Sequence, residues 1–226
     1  MALTSIGFHE TRISDLSPLR GMPLREMYGN GSDVADLKPL AGMPLRKLSL
    51  PATKIQDISP LRGAPLEEFY VLNNKIVDFS PLRGAPLTIV RIGGNECADL
   101  SFLTEARALD YLDCSGNSIA DLTPLRGKPL QTLDASNNRI TDLRPLAGLP
   151  LIELDILANP IADYAPLLEL HQLQKLRMND PKGFKGTLEP LRRHPSLQYI
   201  AIGSNGPYRP AAEFWADYDA QKAAGK

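Results

Sequence analysis

The sequence predicts an α/β solenoid with a parallel concave sheet of about ten short strands and short helical or 3-10 turns on its convex side. Three observations predict it. The phrase Asp-Leu-x-Pro-Leu returns at a near-constant interval, a Leu-x-Leu alternation lies between successive copies, and the 20 prolines and 17 glycines recur at set positions. Fixed spacing of this kind marks stacked structural units, each unable to bury its apolar face alone.

The phrase begins at Asp15, Asp36, Asp57, Asp78, Asp99, Asp121, Asp142 and Asp163, and TLEPL at Thr187 is a degenerate ninth copy. The first eight starts are 21 residues apart, apart from a step of 22 between Asp99 and Asp121. Between the copies runs L-x-x-L-x-L-x-x-N-x-I, clearest as Leu66, Phe69, Val71, Asn74 and Ile76, and as Leu130, Leu133, Ala135, Asn138 and Ile140. Ten repeats follow, beginning near positions 3, 24, 45, 66, 87, 109, 130, 151, 173 and 197.

Each position of the coil has a physical role. Alternating Leu-x-Leu is a strand with one face buried. Strands one coil apart run the same way, so they pair in parallel. The Asn or Thr that follows is expected to bond backbone groups of its own coil and the next one. Asp before Leu-x-Pro-Leu caps a short helical turn that tolerates proline near its start. Gly21, Gly42, Gly63, Gly84, Gly127 and Gly148 then end the turn in a left-handed conformation, and the prolines two residues later lead into the next strand.

The ends depart from the pattern. Two residues precede Leu3, so either the first coil stands open or the sequence is cut from a longer protein; the second is the expectation. Repeat nine carries a longer loop around Gly183. Beyond repeat ten, Phe214, Trp215 and Tyr218 form an apolar stripe on a short helix, read as a lid on the last coil. The expected division is a solenoid over 1–206 and a capping helix and tail over 207–226.

Composition bounds the function. The chain has 226 residues, 43% hydrophobic and 23% charged, with a formal net charge of -1. A general nucleic-acid binder needs a basic face, so no nucleic-acid partner is expected. No apolar run approaches a membrane-spanning length, and the start shows neither a basic nor an apolar leader region. A cytoplasmic setting is therefore favoured. Cys97 and Cys114 occupy core positions and read as small buried apolar residues. No nucleotide-binding loop, metal-ligand spacing or nucleophile motif is present, so neither catalysis nor a cofactor is expected.

The repeat fixes which side chains leave the concave face. One outward column is Gly7, Tyr28, Ser49, Tyr70, Arg91, Asp113, Asp134, Asp155, Arg177 and Ala201. Two residues earlier lies Ser5, Glu26, Lys47, Glu68, Ile89, Tyr111, Thr132, Glu153, Lys175 and Tyr199. Tyr28, Tyr70, Arg91 and Tyr111 are of the types that anchor interfaces, although tyrosines on an open sheet also stack on one another. Asp113, Asp134 and Asp155 place three carboxylates on adjacent strands, which a cationic partner would relieve unless they simply splay into water. Arg177 completes the candidate binding set.

These repeats resemble the leucine-rich-repeat superfamily and its horseshoe fold. The core N-x-I-x-D-L-x-P-L is similar to bacterial internalin-type repeats, from which this chain departs by closing a 21-residue coil with G-x-P-L. That shorter form is similar to planctomycete-type repeats found attached to large bacterial Ser/Thr kinases; no kinase motif lies in this chain. The resemblance implies a binding scaffold and does not identify its ligand. The expected partner is a protein or peptide, with a cationic segment one option on account of the aspartates, and the chain is read as the recognition module of a larger bacterial protein. The alternative is a structural spacer or kinase-attached regulatory domain with no ligand of its own.

Overall fold

A computed structural model describes residues 3–180 and 188–223. Among these, the sheet runs β1 (Ser5–Gly7), β2 (Glu26–Tyr28), β3 (Lys47–Ser49), β4 (Glu68–Tyr70), β5 (Ile89–Arg91), β6 (Tyr111–Asp113), β7 (Thr132–Asp134), β8 (Glu153–Asp155), β9 (Lys175–Met178) and β10 (Tyr199–Ile202). The strands stand in chain order and each pairs in parallel with the next, with outward residues of one coil opposite those of its neighbours: Tyr70 faces Arg91, and Arg91 faces Asp113. An eleventh strand, β11 (Arg209–Pro210), adds antiparallel to β10 and lies outside the repeat pattern.

Among the described residues the convex side is a row of eight 3-10 turns, the first over Ser17–Leu19 and the eighth over Ala165–Glu169. In the first turn Asp15 Oδ1 accepts the Ser17 N–H at 2.8 Å, and the same aspartate-to-second-residue bond recurs from Asp36 to Asp163. The helical cap position itself is Leu16, which makes no side-chain bond, so the aspartate organises the turn from one residue further out. Gly21 follows at φ 75° with open space where a Cβ would sit, so its backbone angle alone calls for glycine.

The Asn ladder runs opposite to the expected sense. Asn138 Nδ2 donates to Ala135 O and Ser136 O of its own coil and to Cys114 O of the preceding one, while its Oδ1 accepts the preceding coil's Ile119 N–H. Asn74, Asn95, Asn117 and Asn159 repeat this arrangement. The side chain leaves the turn after its strand, and the amide and carbonyl groups still lacking partners there belong to the preceding coil. Each Asn thus supplies up to four bonds to backbone groups that burial would otherwise leave without water.

One core runs through the coils, from Phe8 to Trp215. Its spine is the first leucine of the inner coils: Leu24, Leu45, Leu66, Leu87, Leu109, Leu130, Leu151 and Leu173 are all fully buried, whereas Leu3 of the first coil is exposed. The 22-residue coil stays in the stack by local repair. Phe102 replaces the proline of the phrase and stacks on Phe79 of the preceding coil at 5.5 Å. The extra residue lengthens the turn after Leu103, and the buried Lys128 ammonium of the following coil donates to Thr104 O and Ala106 O at 3.2 and 3.1 Å. Chain beyond β9 is less regular. A four-residue helix, α1 (Glu189–Arg192), replaces the ninth 3-10 turn, and α2 (Ala211–Ala223) follows β11. Phe214 and Trp215 of α2 are buried against the core. The loop around Gly183 and the start of the degenerate phrase, Thr187, lie outside the described residues.

Candidate binding face

Along the first half of the concave sheet, aromatic rings and cations alternate. Lys47 Nζ lies 5.6 Å from the Tyr28 ring centre and 5.4 Å from that of Tyr70. The Arg91 guanidinium carbon lies 5.8 Å from the Tyr70 centre and 4.6 Å from that of Tyr111. All are within reach of a cation–π attraction. Carboxylates behind them hold the hydroxyls: the Tyr70 hydroxyl donates to Glu68 at 2.6 Å and the Tyr28 hydroxyl to Glu26 at 3.1 Å, while Glu68 pairs with Lys47 at 2.7 Å. Burial, with the Glu68 bond second, pushes the Tyr70 phenol up to about 12, and burial also raises Tyr111. These tyrosines stay neutral donors and flat apolar surfaces across the physiological range.

The acidic half is more ordered than free carboxylates in water. Asp113 Oδ1 accepts both the N–H and the hydroxyl of Ser115, and Asp134 Oδ1 does the same with Ser136, the hydroxyl bonds measuring 2.7 Å. Asp155 Oδ1 accepts the Leu157 N–H, and its Oδ2 meets Arg177 Nε at 3.2 Å. Burial is the main cause that raises the Asp155 carboxyl to about 6, against the pull of the Leu157 bond and Arg177. All three aspartates are half-buried. The Oδ2 atoms of Asp113 and Asp134 have no hydrogen-bond partner among the described residues.

Arg177 is committed inside the chain. Besides Asp155, its Nη1 donates to Gly203 O and Gly206 O, both at 2.9 Å, and its guanidinium carbon lies 4.9 Å from the Tyr208 ring centre. Residues 203–208 therefore lie across the last strands, and Ala201, outward by register, is fully buried. Lys175 is likewise paired with Glu153. The opposed charges in neighbouring strands were visible in the two columns; the position of Tyr208, outside the repeat, was not.

Cys97 and Cys114 are fully buried, and burial raises both thiols, Cys97 to about 11. Among the described residues no group of three His, Cys, Asp or Glu is placed to hold a metal ion. Among them, too, no helix is long and apolar enough to cross a membrane.

A family model described as Leucine Rich Repeat matches residues 129–149, one coil. No curated protein matches the sequence. Among solved structures, an internalin, InlF, from Listeria monocytogenes is 26% identical, with a TM-score of 0.81 over 90% of this chain and 62% of its own. This chain therefore spans less than two thirds of that relative. An internalin C2 from the same organism is 27% identical, with a TM-score of 0.71 over 77% of this chain and 80% of its own. A plant peptide hormone receptor, RGFR1, solved in complex with RGF2, shares the fold at 17% identity, with a TM-score of 0.68 over 88% of this chain and 34% of its own. The chain is a leucine-rich-repeat solenoid with internalin-like repeats.

Proposed function

We propose that the concave face binds a protein or peptide partner, as the recognition module of a larger bacterial protein. The observation that carries the reading is the Tyr70–Arg91–Tyr111 stack, a pre-ordered aromatic and cationic surface that the fold leaves half open. Immobilised flat side chains lose little further entropy on contact and are the usual centres of binding energy. The ten parallel strands span roughly 45 Å, enough for an interface of standard size. Two further observations support it. Bacterial internalins share the repeat, and the plant neighbour is a peptide hormone receptor solved with RGF2. The flanking Asp113 and Asp134, each with one oxygen unused, favour a cationic group beside an exposed hydrophobic residue of the partner. The scaffold reading assigns the face to binding rather than to catalysis.

The test is capture of partners by the whole chain and by its variants. Tyr70→Ala and Tyr111→Ala are expected to weaken binding by about 1–3 kcal/mol each. Arg62→Ala and Arg126→Ala, exposed on the convex turns, are expected to leave it unchanged. Loss in the convex variants with retention in the concave ones would place the binding surface elsewhere.

A further inference from the structure

Two arginines stand in one outward column, Arg91 on β5 and Arg177 on β9, and their surroundings differ. Arg177 meets a carboxylate (Asp155), two backbone carbonyls (Gly203 and Gly206) and an aromatic ring (Tyr208). Arg91 has rings on two sides, Tyr70 and Tyr111, but no ion pair and no hydrogen bond among the described residues. Its Nε is shut off from solvent and is the one buried side-chain nitrogen or oxygen among the described residues that lacks a partner. Neither neighbouring carboxylate pairs with it: Glu68 holds Lys47 and Tyr70, and Asp113, in register with Arg91, turns Oδ1 to Ser115 and leaves Oδ2 without a hydrogen bond among the described residues.

A guanidinium stays charged throughout the accessible pH range and offers five donors in a planar fork suited to a carboxylate. Between two rings the side chain is already confined, so less ordering entropy is left to lose when that fork is filled. The chain's own segment 203–208 shows what an arginine of this column accepts when polypeptide lies across it: oxygen acceptors along the fork and an aromatic ring against the face. Arg91 has the rings and lacks the oxygens.

We propose that Arg91 receives the carboxylate side chain of an Asp or Glu in an extended segment of the partner. The unfilled donors of this guanidinium call for an oxygen acceptor, and a carboxylate matches the planar fork and its charge. The concave sheet continues on both sides of β5, which suits a segment that passes over Arg91 and presents a side chain there, not a chain end. This inference rests on the concave-face reading and adds to it the chemistry of one contact.

Random peptides displayed on phage, selected on the full chain, provide the test. Peptides that lose binding to Tyr70→Ala or Tyr111→Ala are scored as concave-face ligands. These are expected to carry an acidic residue whose change to the matching amide weakens binding roughly tenfold to hundredfold, the usual scale for a charge-assisted hydrogen bond. The same change should have little effect on binding to Arg91→Met, and Arg91→Lys should retain part of the affinity. Melting curves of both variants accompany the titrations, and substitutions in the peptide carry the test on the unaltered protein should either variant fold poorly. Concave-face peptides without an acid, or with an acid whose removal costs as much on Arg91→Met as on the native chain, would overturn the assignment and leave the concave-face reading standing. Selected peptides indifferent to both tyrosine substitutions would overturn both.

Discussion

At the scale of single residues, neighbours decide what each concave side chain can do. Asp155 occupies the same column as Asp113 and Asp134, yet only Asp155 pairs with the arginine beside it and has a chain segment beyond. Burial holds its carboxyl at about 6, against 3.8 for an ordinary aspartate. Between these values the folded state keeps a proton that the unfolded state has lost. Asp155 therefore favours folding below about pH 4, and that contribution is lost as pH rises through about 6, on the order of 3 kcal/mol in all. A carboxyl titration followed by NMR should show a midpoint near 6. Asp155→Asn should remove the corresponding slope from stability measured between pH 4 and 7. A midpoint near 4 would mean that Arg177 and the Leu157 N–H outweigh burial. The column of residues could be written down from spacing alone, but this difference within it depends on Arg177 and its cover.

At the scale of the element, each turn is a local device that sequence spacing predicts, and each irregular coil needs help from a neighbour. The Asp bond, the left-handed glycine and the proline all act within a few residues, which is why the convex turns could be read from the repeat. The long coil after Asp99 is different. Its carbonyls at Thr104 and Ala106 find their donor one coil on, in Lys128, whose ammonium is pulled toward neutrality by burial alone. Lys128→Ala would strip both carbonyls of that donor and open a gap, and should lower unfolding free energy by about 1–3 kcal/mol in denaturant titrations. A stability equal to the native chain's would show that water replaces the ammonium without cost. Helix α2 poses the parallel question at the other end. Phe214 and Trp215 are buried, Arg192 lies 5.1 Å from the Trp215 ring centre, and Arg192 also pairs with Asp219 of the helix at 2.6 Å. We read α2 as the lid of the last coil. On that reading Trp215→Ala should cost about 3 kcal/mol and promote aggregation through the bared coil. An unchanged melting curve would remove the lid role.

At the scale of the molecule, stacking gives a sum of neighbour contacts and one long face of graded character. Its first half carries the stack of tyrosines and cations, its middle the oxygens of Asp113 and Asp134, and its last strands are crossed by residues 203–208. Exposed charges of this kind govern encounter and salt dependence more than the lifetime of a complex. Asp134→Asn should therefore flatten the salt dependence of partner binding while changing affinity at high salt little. Titrations at two ionic strengths on the native chain and the variant check this; equal slopes would show that the acidic row lies outside the contact.

The sequence by itself determined the solenoid, the strand register, the outward columns and the buried cysteines, because a constant repeat makes one coil's geometry the geometry of all. It placed Tyr28, Tyr70, Arg91, Tyr111, Asp113, Asp134, Asp155 and Arg177 on the sheet without contacts between them. The tertiary structure decided which of them are already engaged. Arg177 is filled by a segment outside the repeat, the aspartates are tied to Ser115, Ser136 and Leu157, and Arg91 is held between two rings with its donors unused. Periodicity determines the direction in which a side chain leaves the sheet; what it meets there depends on rotamers and on aperiodic chain, which no repeat encodes.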